Sequence, residues 1–129
     1  MKWISLFLIA LAVHSKAQSV NIGVTDLLPN LDYGNAGLIL AQQVNLSQPA
    51  ALQSISFYVV QNSGTMRLGL YDANGASGNP GNKLAETPVI TPTVGWNTVP
   101  VMQINLAAGT YWLAYEVSTS GSQYLASFN

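Results

Sequence analysis

The chain has 129 residues, 49% hydrophobic and only 7% charged, with one histidine, no cysteine and a formal net charge of −1. That length suits one domain. The lack of cysteine excludes disulfides and thiol chemistry. The few Lys and Arg argue against nucleic acid or anionic membrane as a partner, because that affinity comes largely from clustered positive charge.

Lys2 opens the chain with a positive charge, and Trp3 to Val13 is apolar apart from Ser5. Ser15 and Ala17 then supply small residues at the −3 and −1 positions of a cut before Gln18. This is the layout of a secretory signal peptide over 1–17. The apolar run falls short of the roughly 20 residues of a spanning helix, so no membrane insertion is expected after cleavage. Removal takes away Lys2, His14 and Lys16, so 129 residues less 17 leaves 112. Their charges are Arg67 and Lys83 against Asp26, Asp32, Asp72, Glu86 and Glu116, a net −3. With neither His nor Cys, the exported chain has no Ser–His pair, no thiol nucleophile and no nitrogen or sulfur metal site.

Residues 18–36 read as an irregular lead-in, with one short apolar segment at Val20–Leu28 that could form a weak strand. The folded body is expected over 37–129. There the hydrophobic period is two: Ile55, Phe57 and Val59 alternate with Ser56, Tyr58 and Val60, and Leu68 and Leu70 alternate with Arg67, Gly69 and Tyr71. Such alternation marks strands with one buried face. Further strands are expected at Leu38–Val44, Lys83–Ile90, Asn97–Ile104, Thr110–Val117 and Gln123–Phe128. Which face of the Tyr111 strand points inward stays open, since both sets hold aromatics. The breaks, "QNSGT", "NGASGNPGN", "PTVGW", "AAGT" and "STSGS", are turn chemistry. Several short strands without a helical stripe imply an all-β fold, an antiparallel β-sandwich of jelly-roll-like type.

The two strands within Ile55–Asp72 are expected to form a hairpin, with Val59 opposite Leu68, Phe57 opposite Leu70 and Ser63-Gly64 at the tip. A slip of one residue would bury Arg67 unpaired. The other face would set Tyr58 over Gly69, Ser56 against Tyr71 and Arg67 against Val60. Trp96, after Gly95, is expected to plug the core.

The segments "SISFYV", "GTMRLGLYDANGASGNPGNKLAET", "GWNTVPV" and "LAAGTYWLAYEV" resemble the extracellular bacterial β-sandwich modules known as choice-of-anchor domains, over about Gly37 to Val117. The resemblance implies a module of secreted or cell-surface proteins and carries no catalytic set. Such modules usually have at least one more strand. Ending at "YLASFN" therefore suggests a C-terminally truncated chain, or a sheet whose last edge self-associates or is completed by a partner.

The stretch "LYDANGASGNPGNKLAET" contains a weak calcium candidate, Asp72 and Asn74, because oxygen ligands suit Ca²⁺. The EF-hand spacing fails, with Gly81 where the closing glutamate should be, and Gly, Asn and Pro are what a long turn needs. The stretch is read as a connection, with no metal and no cofactor. Glu86 and Glu116 are the only glutamates, and both read as solvent-face residues rather than a glycosidase pair. Exposed aromatics carry more signal. Tyr58, Tyr71 and Trp112 fall on the face opposite the leucines, and Arg67 and Glu116 could orient a sugar stacked on them. The expectation is a secreted, non-catalytic module for adhesion or glycan contact, with a surface protein as another ligand. The alternative is a structural subunit completed by strand addition from a partner chain.

Overall fold

The computed structural model describes residues 18–121 and the backbone of 123–128. The expected signal segment, 1–17, lies outside the described residues. Among the described residues eight strands run in chain order: β1 (Leu31–Tyr33), β2 (Ile39–Leu46), β3 (Ala50–Gln61), β4 (Met66–Asp72), β5 (Lys83–Glu86), β6 (Gly95–Leu106), β7 (Gly109–Val117) and β8 (Gln123–Phe128). They form two four-stranded antiparallel sheets, one ordered β1-β8-β3-β6 and the other β2-β7-β4-β5. The chain changes sheet between every two successive strands except β4 and β5.

The alternation selects the core. Ile55, Phe57 and Val59 of β3 join Met66, Leu68 and Leu70 of β4, and Tyr111, Leu113, Tyr115 and Val117 of β7, in one buried cluster. The open question about β7 is thereby answered: Tyr111, Leu113, Tyr115 and Val117 point inward, and Trp112 and Glu116 outward. The Phe57 ring of the first sheet stacks on the Tyr115 ring of the second, with centroids 4.6 Å apart.

The hairpin expected between β3 and β4 does not form. β3 pairs with β6 and β8, and β4 with β7 and β5. Residues expected opposite one another across a ladder instead stand in different sheets within one buried cluster, because a shared apolar face does not fix which strand lies beside which. The turn between β3 and β4 docks on the β7–β8 connection, where the Thr65 amide donates to Ser118 Oγ at 2.8 Å and the Ser118 amide to the Thr65 carbonyl at 2.9 Å. Tyr58 therefore lies against Trp96, not Gly69. The ring beside Gly69 is that of Tyr71, two residues along the same strand. Trp96 is no core plug: it is 38% exposed and meets Tyr58 edge-on at 5.5 Å and 82°.

The strand expected at 83–90 keeps its regular ladder only to Glu86. Pro88 has no amide to donate. Beside it, buried Thr87 donates its amide to the Leu68 carbonyl at 2.9 Å and accepts the Leu68 amide on its hydroxyl at 3.0 Å, so a side chain completes the pairing.

The lead-in contributes a strand at Leu31–Tyr33 rather than at Val20–Leu28. This strand pairs with β8, matching Leu31 with Leu125 and Tyr33 with Gln123. β8 thus lies between β1 and β3. The C-terminal strand is not the sheet edge that the sequence suggested as a point of self-association or partner completion.

Candidate functional site

The outer face of the second sheet is built in rows across the strands. Register places Ile39, Glu116 and Arg67 in one row, Ala41, Ala114, Gly69 and Glu86 in the next, and Gln43, Trp112, Tyr71 and Lys83 in a third. In the middle row Ala41, Ala114 and Gly69 are small between larger rows, with Glu86 at its end, so it forms a groove. Its cavity is about 180 Å³ and is lined by Arg67, Gly69, Tyr71, Lys83, Ala114 and Glu116, among others. That is smaller than the ~300 Å³ at which drug-sized ligand pockets begin, and suits a shallow contact with part of a ligand.

Gly69 is what opens the groove. A Cβ there would lie 3.3 Å from the Ala85 carbonyl and 3.4 Å from the Tyr71 ring. Arg67 stands 3.6 Å from Glu86, and Lys83 donates to Glu86 at 2.5 Å. This hydrogen bond holds the Glu86 carboxyl below, and the Lys83 ammonium above, their ordinary titration ranges. Lys83 and Glu86 would face opposite ways in a regular strand. The register shift between the pairs Leu70–Ala85 and Tyr71–Lys83 puts both on the groove side.

Three of the five residues singled out from the sequence line this groove, Arg67, Tyr71 and Glu116, and Trp112 lies beside Tyr71 across the ladder. Tyr58 does not join them, since it lies on the other sheet beside Trp96. Trp112 is partly engaged already, donating its indole N–H to the Gly78 carbonyl at 3.0 Å. Lys83 was missed in the sequence, where nothing marks a bulge in so short a strand.

The β4–β5 connection folds back onto this face. Ser77 (φ +58°) and Gly78 (φ +78°) are successive left-handed residues that turn it toward Trp112. Asp72 organises it. Oδ1 accepts the amides of Asn74 at 3.1 Å and Asn82 at 2.8 Å, and Oδ2 accepts the side-chain amides of Asn74 at 2.9 Å and Asn82 at 3.0 Å. Those bonds, the Asn82 side chain first, hold the Asp72 carboxyl below its ordinary range. The calcium candidates Asp72 and Asn74 therefore bond to each other, and the N–H groups directed at the carboxylate occupy the positions a cation would take. Among the described residues, no three His, Cys, Asp or Glu cluster as metal ligands, and no helix is long and apolar enough to cross a membrane.

Comparison with protein-family models, with curated proteins and with solved structures finds no match to this chain.

Proposed function

We propose that the chain is a secreted, non-catalytic jelly-roll sandwich that binds glycan at the cell surface through the groove on its second sheet. The strand orders β1-β8-β3-β6 and β2-β7-β4-β5, with consecutive strands other than β4 and β5 alternating between sheets, support the jelly-roll reading. The Trp3–Val13 apolar run and the small residues Ser15 and Ala17 support export. The resemblance to choice-of-anchor modules is consistent with both.

The observation that carries the binding role is the groove itself. An apolar sugar face can rest on the Tyr71 ring over the Gly69–Ala114 floor, while Arg67 and Glu116 on the facing wall meet hydroxyl groups. Tyr71→Ala or Arg67→Ala should lower the affinity for the best glycan on an array by about tenfold each, or 1.4 kcal/mol. Tyr58→Ala should leave it unchanged. Binding that survives both groove substitutions, or is lost with Tyr58→Ala, would refute this assignment.

A further inference from the structure

The two sheets present four edge strands, and three of them carry features that discourage pairing. β1 has only three residues. β5 has four, two of them the charged Lys83 and Glu86, and Pro88 follows closely. β6 contains Pro100 and a bulge, where Val101, Met102 and Gln103 stand against the single Gln53 of β3. Short strands, charges, proline and bulges are the devices by which sheet edges avoid other strands.

β2 has none of these. It runs eight residues, Ile39–Leu46, and pairs with β7 in unbroken register along its whole length. It contains no proline, and no charged residue lies between Asp32 and Arg67. It ends its sheet, so among the described residues its second row of backbone N–H and C=O groups has no strand partner. Apolar surface is left at its start, where Leu38 is 55% and Ile39 64% exposed.

We propose that two copies of this chain pair antiparallel through their β2 edges, joining the second sheets into one continuous sheet. The strand is complementary to itself. Centred on Gln42, the pairing sets Leu40 opposite Val44 of the second copy and Gln42 opposite its Gln42 on the core side, and Ala41 opposite its Gln43 and Ile39 opposite its Asn45 on the outer side. Inward residues meet inward ones at every step, as a pleated sheet requires. The two-fold axis uses both β2 edges, so assembly closes at a dimer. A single strand pair is small beside the ~1,200 Å² of the smaller stable interfaces, so the dimer is weak and dissociates in about the micromolar range. This contact does not involve the C-terminal strand, and the one β2 residue it shares with the groove lining is Ile39.

Analytical ultracentrifugation of the purified chain tests it. The parent should show a reversible monomer–dimer equilibrium. The double substitutions Ala41→Lys/Gln43→Lys and Ala41→Glu/Gln43→Glu lie on the exposed side of β2 and should each weaken self-association at least about tenfold. An equimolar mixture of the two should recover the dimer as a heterodimer, while the circular dichroism of each matches the parent. A parent that stays monomeric up to about 1 mM, a Lys variant that dimerises like the parent, or folded variants that fail to form the heterodimer would each overturn the proposal.

Discussion

The carboxylate of Asp72 spends its acceptor capacity on N–H groups from both ends of the β4–β5 connection, joining Asn74 to Asn82 across the loop. It does with hydrogen bonds what a calcium loop does with a cation. Its folded pKa is depressed, so its contribution to stability is present above the unfolded carboxylate value and is lost as pH falls through the folded one. Asp72→Ala should lower the melting temperature at neutral pH and flatten its acid dependence, and calcium should shift neither protein. Thermal melts across the acid range, with and without calcium, measure all three effects. Tyr115 joins distant parts in the same way: its hydroxyl donates to Asp32 at 2.8 Å, while its ring stacks on Phe57. Tyr115→Phe keeps the stack and removes the donor, so it should cost about 1–2 kcal/mol in denaturant unfolding.

At the scale of elements, β5 is decided by chemistry beside the strand rather than within it. The apolar pattern continues past Glu86, but Pro88 ends the ladder, and Thr87 supplies its hydroxyl to the buried Leu68 amide. Thr87→Val preserves size and β-branching while leaving that amide without its acceptor. It should destabilise the fold by about 1–3 kcal/mol in equilibrium unfolding, a cost set by the unpaired buried donor. Valine's good strand propensity would make it neutral if propensity governed this position, so the measurement separates the two explanations. Asn97 is another buried polar side chain used to shape backbone: it accepts the Thr93 amide at 2.8 Å and donates to the Thr93 and Gly95 carbonyls. It thereby fixes the turn that turns the neighbouring Trp96 outward.

For the whole molecule, the lead-in is part of the fold. β1 covers the first half of β8, and Asp32 and Asn35 bond to the Tyr115 hydroxyl, so residues distant in sequence close one end of the structure. Deleting residues 18–36 should expose β8 as a free edge and remove Asp32 and Asn35 from the Tyr115 hydroxyl. The truncated chain is expected to melt at a lower temperature, with a broader transition, and to aggregate on heating, which calorimetry and light scattering would record. An unchanged, sharp transition would mean that β1 contributes nothing to closure. Only β4 and β5 pair as neighbours in sequence, so almost every ladder requires distant segments to meet before it gains stability.

Strand positions and facing were legible in the residues, because side chains alternate along any strand whatever lies beside it. Ile55, Phe57, Val59, Leu68 and Leu70 are buried as the pattern required. The outward set on the second sheet, Arg67, Tyr71 and Glu116 at the groove and Trp112 beside Tyr71, was legible for the same reason. Pairing was not legible. A period of two fixes which face a residue occupies and says nothing about its neighbouring strand, so a β3–β4 hairpin and a β3 and β4 in separate sheets fit the same alternation. Only the tertiary structure separated Tyr58 from Tyr71, brought Lys83 to the groove through a bulge, and placed β8 between β1 and β3. The first and last of those outcomes depend on contacts between segments far apart in the chain, and the bulge on how two neighbouring strands register; no local pattern of residues encodes any of them.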